Sequence, residues 1–310
     1  MQVPKISIIT RTKNRPALLE RTLRSIREQT FTDWEWVLVD AGQQSQSAEV
    51  TTFLESEAFR AQHITAPEHL LMGAMSNIGV RASSADYIVL LDDDDTWHPE
   101  FLQKAVERLN DPVDPLIGGI AAQTNRVYER EEKEGEWITE RTKHLNPTLE
   151  SLDIASVATN NRFTVNAFLY RKDIFEKIGG YREDLPVLDD WDFNLRFLLE
   201  SNIDVLPEPL ANWHIRDNIT DGSQANSLVA AKSKHLYYRT AIINDYMRKE
   251  IAGEEQGLGQ LLGISSLIDT SLNKIASLQR KLISVSRKVG RIDARTKTLK
   301  DSIVKGNKKK

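Results

Sequence analysis

A chain of 310 residues, 40% of them hydrophobic, can bury one large core plus an appendage, or two modest domains. With no cysteine, disulfides, thiolate zinc sites and cysteine nucleophiles are excluded; no stretch reaches membrane-spanning length, and Met1 to Thr10 lacks the apolar run of a secretory leader, so a cytoplasmic location is expected. The net charge of −4 is unevenly spread, because residues 274–310 hold 13 Lys and Arg against Asp293 and Asp301, leaving −15 on the rest.

Lys5 to Thr10 reads as a β-branched strand, and Asn14-Arg15-Pro16 opens a helix to about Glu28 with Leu18, Leu19, Leu23 and Ile26 on its apolar face. Trp34 to Asp40 is a second strand. Strand, helix and strand of these lengths predict a right-handed parallel unit. Ala48 to Ala61 reads as a helix, Ile64-Thr65 as a short strand and Met75 to Ala82 as another helix, so the first half is expected to be a doubly wound α/β domain.

The apolar run Tyr87 to Leu91 predicts a strand buried on both faces, and Asp92-Asp93-Asp94-Asp95 follows without a break. Ligands gather at the carboxyl ends of strands in open α/β sheets, so hard oxygen ligands there point to a divalent cation and its natural partner, a phosphate. The plain alternative is capping, since Asp95 or Thr96 precedes the helical spacing from Pro99 to Leu109. Four adjacent carboxylates repel one another and exceed what one cap requires, which favours the cation and phosphate.

Leu116 to Gln123 is small and apolar, and the densely charged Thr124 to Leu145 predicts a hairpin or a flap. Phe163 to Tyr170 reads as a strand and Arg171 to Ile178 as a helix stopped by Gly179-Gly180. Leu188-Asp189-Asp190-Trp191-Asp192-Phe193 then opens a helix to about Glu200, where ordinary capping explains the acidic pair as well as chemistry does. Ile203 to Leu206 is strand-like. His214, in the block Trp213 to Asn218, is either a ligand or a packed residue.

These blocks together resemble the family-2 glycosyltransferases of the GT-A fold over about residues 5–220. The residues that carry the resemblance are Ser7 to Pro16, Ser25-Ile26 with Gln29-Thr30, Val39-Asp40, Asn77-Ile78-Gly79, Tyr87 to Asp95, Phe175 to Tyr181, Leu188 to Phe193 and His214. The resemblance implies a Rossmann-like doubly wound mixed sheet and transfer of a sugar from a nucleotide-diphosphate donor, such as a UDP-sugar, with inversion at the anomeric carbon. It implies Asp94 and His214 as holders of Mn²⁺ or Mg²⁺, and Asp92 and Asp93 around the ribose and the metal. Thr10, Arg11, Arg15, Asp40 and Asn77 are expected to line the nucleotide-sugar pocket. Asp190 matches the general base, with Asp189 in the place of a usual Glu, and Trp191 is either an acceptor platform or core. Ala41 stands where many relatives carry a second carboxylate, which puts uracil recognition in question. A Gln-x-x-Arg-Trp signature is absent, which favours non-processive transfer to a glycan or lipid-linked acceptor. Two rivals are a sugar nucleotidyltransferase, against which the glycine-free Ser7 to Pro16 argues, and a non-catalytic scaffold of the same fold.

The expected division is a catalytic domain over 1–225 and a helical extension over 226–310. In the extension Ile275, Leu278, Leu282, Val285, Val289, Ile292, Leu299 and Ile303 form a heptad seam. Uniformly basic flanks oppose self-pairing, so an anionic membrane surface is preferred over self-association through residues 264–304, with packing on the catalytic domain as the plain alternative. Nucleic acid is not an expected partner, because the tail has no aromatic residue and the body is acidic.

Overall fold

The computed structural model describes residues 4–43, 45–58, 60–133, 136–219, 232–254 and 257–307. Its centre is a mixed sheet. The strands are β1 (Ile6–Thr12), β2 (Trp34–Asp40), β3 (Ala61–Thr65), β4 (Tyr87–Leu90), β5 (Thr96–Trp97), β6 (Ile117–Lys133), β7 (Glu136–His144), β8 (Phe168–Arg171) and β9 (Asn202–Ile215). They lie in the order β3-β2-β1-β4-β8-β6-β9-β5, with β7 paired to β6. The first four in that order are parallel, and β8 runs antiparallel to both β4 and β6.

The period of two along these strands decides which helix covers which face. Ile6 and Ile8 of β1, Trp34, Trp36 and Leu38 of β2, and Tyr87 and Val89 of β4 enter one cluster. There they meet α1 (Pro16–Arg27), α2 (Ala48–Ser56) and α4 (Phe101–Asn110). The alternate residues Ile9, Val37, Val39, Ile88 and Leu90 face α3 (Met72–Ala82), α6 (Lys172–Lys177) and α7 (Asp189–Glu200). Gly79 lets α3 approach closely, since a Cβ there would lie 2.3 Å from Ile9 Cγ2.

A third cluster joins the extension to the body. Val157 and Ala158 of α5 (Ile154–Thr159) and Trp191 and Leu195 of α7 pack with Ile242, Ile243 and Tyr246 of α8 (Lys232–Ile251) and with Leu258 and Leu262 of α9 (Leu258–Asn307). The Tyr246 hydroxyl donates to Asp192 Oδ1 at 2.8 Å in the buried interior. The extension therefore shares a core with α7. Beyond the packed turn α9 exposes Ile264, Leu267, Ile268, Leu272, Ile275, Leu278, Leu282 and Ile283. The seam positions Ile275, Leu278 and Leu282 are therefore not packed on the body, and those from Val285 onward lie outside the residues whose side chains are described.

Several boundaries differ from expectation for identifiable reasons. The helix from Ala48 ends at Ser56 because Arg60 carbonyl accepts from Trp36 N at 2.8 Å, which starts β3 at Ala61 rather than at Ile64. The helix expected from Met75 begins at Met72. A 3₁₀ turn at Val165–Ala167 shortens the expected strand to Phe168–Arg171. Ile203 to Leu206 and the His214 block form one strand that passes through Pro207 and Pro209. The β6–β9 register shifts around Gln123, opposite Pro209, where a residue without N–H cannot join the ladder. The charged segment is a hairpin of β6 and β7.

Candidate functional site

The site lies where β1, β2 and β4 end side by side. Thr12 is level with Asp40 in the parallel register, and Leu91 N donates to Ile9 carbonyl at 2.9 Å, so the acidic run emerges beside Arg11 and Thr12. Asp95 N donates to Asp92 carbonyl at 3.2 Å, which folds the four carboxylates into one turn. Asp93, Asp94 and Asp95 are all buried.

Arginines from four places face this turn. Arg11 donates to Asp92 Oδ1 from Nε at 2.9 Å and from Nη2 at 2.5 Å, and its Nη1 donates to Ser76 Oγ at 2.9 Å. Arg15, ahead of α1, reaches Asp93 Oδ1 at 3.0 Å and Asp94 Oδ2 at 3.2 Å. Arg21 of α1 donates to Asp94 carbonyl and to Glu129 Oε1, both at 2.6 Å. Arg216, just after β9 and with a fully buried side chain, donates from Nη2 to Asp94 Oδ2. Thr12 Oγ1 donates to Asp93 Oδ2 at 2.7 Å.

This arrangement separates the carboxyls electrostatically. Burial pushes Asp93 above the ordinary carboxyl range against the pull of Arg15. Burial also raises Asp95, helped by the charges of Asp94 and Asp92. At Asp94 burial acts the same way, but Arg15, Arg216 and Arg21 outweigh it and hold the carboxyl below its usual range. Asp94 is thus the anchored anion of the turn.

The first turn of α7 closes the other side. Leu188 sits in the left-handed region with φ +67°, a conformation costing about 1 kcal/mol outside glycine, and turns the chain into the helix at Asp189. Arg11 Nη1 lies 3.6 Å from Asp189 Oδ2, so one buried guanidinium spans the acidic turn and α7. Asp190 accepts from Asn161 Nδ2 at 2.7 Å and from Trp191 N at 2.8 Å. Burial raises both carboxyls, Asp189 to about 7.

The expected residues divide into two groups. Arg11, Arg15, Asp92, Asp93, Asp94, Asp189 and Asp190 converge on the sheet edge. Asp40 is near the same edge, held below its ordinary range despite burial by His63, Gly42 N and Gln46. Thr10 does not face the site: its hydroxyl, fully buried, accepts from Trp36 Nε1 at 2.9 Å within the core. Asn77 is also structural, because its amide exchanges 2.8 Å bonds with Tyr181 N and carbonyl and fixes α3 to the Gly-Gly-Tyr turn. Trp191 is core rather than an acceptor platform, donating to Val157 carbonyl at 2.7 Å with Arg239 over its ring. Asp189 lies beside Arg11, 3.6 Å from its Nη1.

His214 is likewise not set against Asp94 as a second ligand. Its Nδ1 pairs with Glu129 Oε1 at 2.6 Å and its Nε2 with Thr96 Oγ1 at 2.8 Å, while burial lowers its proton affinity. Two residues on, and so on the same strand face, Arg216 takes the contact with Asp94. Among the described residues no group of three His, Cys, Asp or Glu is arranged to hold a metal ion. Asp94 and both ring nitrogens of His214 are already engaged by protein groups. Arg21, Glu129 and Arg216 were not singled out from sequence; a period of two from His214 was the available signal for Arg216.

A parallel half-sheet flanked by helices, continued by strands of mixed direction and carrying an acidic turn after β4, is the GT-A architecture. Residues 7–179 match the family model described as Glycosyl transferase family 2, and the chain belongs to that family. An uncharacterized glycosyltransferase of Haemophilus influenzae is 27% identical over 198 residues, covering 63% of this chain and 62% of that protein, so the match spans less than two thirds of the relative. The structure of S. aureus TarS 1–349 in complex with UDP-GlcNAc has a TM-score of 0.55 at 16% identity, covering 72% of this chain and 61% of that one. The mannosyltransferase PcManGT from Pyrobaculum calidifontis, in complex with GDP-Man and Mn²⁺, has a TM-score of 0.52 at 16% identity over 86% of this chain and 81% of that one.

Asp189 supplies a pH test. Its carboxyl binds a proton more readily in the fold than in the unfolded chain, so its contribution to stability is complete below about pH 4 and is lost as pH rises towards 7. Asp189→Asn, with no such proton to lose, should gain thermal midpoint over the parent progressively from pH 4 to pH 8. A difference between the two proteins that does not vary with pH contradicts the assignment.

Proposed function

We propose that this chain is a non-processive, inverting glycosyltransferase that moves a hexosyl group from a nucleotide-diphosphate sugar to a hydroxyl of a glycan or lipid-linked acceptor. The observation that carries the reading is the Arg11 bridge, which holds the acidic turn at Asp92 and the first turn of α7 at Asp189 within one buried site. UDP-GlcNAc and GDP-Man in the fold neighbours support a nucleotide-sugar donor, and a UDP-sugar is the first to try. Arg15, Asp40, Asp92 and Asp93 are proposed to contact the donor.

Asp190 is the proposed base. Inversion needs a group on the side of the sugar opposite the leaving diphosphate that takes the acceptor hydroxyl's proton as the new bond forms. Asp190 Oδ1 and Oδ2 are oriented by Trp191 N and Asn161, and burial makes the carboxylate a stronger base than an exposed Asp. The departing diphosphate gains negative charge, and fixed cationic donors stabilise that charge most where water is excluded. A divalent ion is present in one fold neighbour; in this chain Asp94 would be its anchoring carboxylate only after Arg216 is displaced.

The chain's own tail supports a location for the acceptor. No helix among the described residues is long and apolar enough to cross a membrane. The exposed apolar residues of α9 and its basic flanks suit peripheral docking on an anionic leaflet, which would bring a lipid-linked acceptor to the site.

Asp190→Asn should lower nucleoside-diphosphate release from a panel of nucleotide sugars, with acceptor present, by about 10² or more, and leave nucleotide affinity within about threefold. Equal loss of affinity would assign Asp190 a structural role, and failure of the parent to bind any nucleotide in the panel would sink the reading. For the tail, the full chain should float with phosphatidylserine-containing liposomes and a chain lacking residues 274–310, which keeps the packed Leu258 and Leu262, should not. Equal behaviour of the two removes the membrane role.

A further inference from the structure

We propose that the amide of Asn161 positions the base Asp190, and that Arg239 of the C-terminal extension clamps together the two segments that carry this pair. The inference rests on Asp190 being the base and concerns how the fold aims its carboxylate.

Asp190 and Asn194 stand at i and i+4 on α7, so they share a helix face. Asn161, just beyond the end of α5, bridges them. Its Nδ2 donates to Asp190 Oδ2 at 2.7 Å, and its Oδ1 accepts from Asn194 Nδ2 at 3.1 Å. An ionised carboxylate takes donors only, so the Asn161 amide has one workable orientation, and the buried Asn194 holds it there. Trp191 N donates to the other carboxylate oxygen at 2.8 Å. The two bonds fix both oxygens against rotation, and a carboxylate with about four lone-pair sites keeps capacity for the acceptor hydroxyl.

Arg239 touches both arms of this pair. Its Nη2 donates at 2.8 Å to the carbonyl of Thr159, the last residue of α5, and its guanidinium carbon lies 4.8 Å from the centre of the Trp191 ring. Thr159 stands two residues before Asn161, and Trp191 follows Asp190 directly. Val157, Ala158, Trp191 and Ile242 close the same junction in one apolar cluster. A plain helix-end contact would account for the bond to Thr159 alone; the second contact, on the residue next to the base, is what makes Arg239 a clamp. The charges that face Asp190 are Arg11 from β1, Asp189 beside it and His235 from α8, one turn before Arg239. Burial lifts the Asp190 carboxyl, and the Asn161 amide draws it back down. Without the amide, Asp190 keeps its proton to higher pH.

Two measurements on the full chain test this. The first compares thermal midpoints of the parent, Asn161→Leu, Asp190→Asn and the double variant from pH 4 to pH 8. Asp190 binds a proton more readily in the fold than in the unfolded chain, so the stability it contributes is complete below about pH 4 and is lost as pH rises, and the loss is larger without the amide. The deficit of Asn161→Leu should therefore widen with pH against the parent and stay constant in the Asp190→Asn background, where Asp189 and His235 still titrate. A deficit that is the same at every pH, or that widens equally in both backgrounds, overturns the pairing. The second measurement is nucleoside-diphosphate release from UDP-GlcNAc, UDP-glucose and GDP-Man with water as acceptor. Asn161→Leu should lower kcat about 10-fold or more, keep the donor KM within about threefold, and move the acidic limb of kcat up by about one pH unit. Arg239→Met should move that limb the same way, and Arg239→Lys, which keeps a cation and a donor, should restore it. A limb that Asn161→Leu leaves in place overturns the positioning role, and one that only Arg239→Met leaves in place overturns the clamp. No release by the parent from any of the three donors overturns the positioning role together with the glycosyltransferase reading, whereas a failed midpoint comparison with release intact overturns the pairing alone.

Discussion

The pairing of the buried Asp92–Asp95 turn with guanidinium groups is the interaction on which the site depends. Carboxylates this close and this dry repel one another, and removing one partner of a buried ion pair costs about 3–5 kcal/mol. The compensating cations come from segments far apart in the chain: Arg11 from β1, Arg15 and Arg21 from the start of α1, and Arg216 from the end of β9. The sheet order makes this possible, since β1 lies next to β4 while β9 pairs with β5 immediately after the turn. Charge balance and topology are therefore one constraint seen from two sides. The turn cannot keep its shape unless the parallel half of the sheet and the mixed half that carries β9 are both in register.

The same logic ties α7 to the rest. Asp189 meets Arg11 beside the acidic turn, and Asp192, three residues along the same helix, meets Arg196 at 2.8 Å and Tyr246 of α8. Between them Trp191 fills the cluster shared with α5 and α8. A shift of α8 would be felt at Trp191 and hence at the neighbouring Asp190. The proposed base is thus positioned by the C-terminal extension as well as by the sheet, which gives the extension a structural part in the site apart from any surface it docks on.

Much of the fold was legible because it is written in local patterns. The β-branched runs at Ile6–Thr12 and Trp34–Asp40, the proline at the head of α1, and the apolar strand before four aspartates identify the parallel half-sheet and its ligand-bearing edge. The seam in the tail correctly announced a long helix, though not that its first turn would complete the core beneath α7. What was not legible depends on tertiary register. Thr10 and Arg11 are adjacent in sequence, yet one goes to Trp36 under the sheet and the other to Asp92 above it. Asn77 belongs to the block that carries the family resemblance, and its role emerges only from the 2.8 Å bonds to Tyr181. His214 drew attention as the more familiar ligand, while Arg216 in the same block makes the contact with Asp94. Only the end of β9, set beside β5 and β6, distinguishes the two.

The central claim is that the acidic turn and the arginines paired with it form the site of the donor's diphosphate. A crystal structure of the chain grown with a nucleoside diphosphate and Mn²⁺ addresses it most directly. The account predicts the diphosphate at the carboxyl end of β4, beside Asp94 and Arg15. A nucleotide bound away from that edge would contradict it.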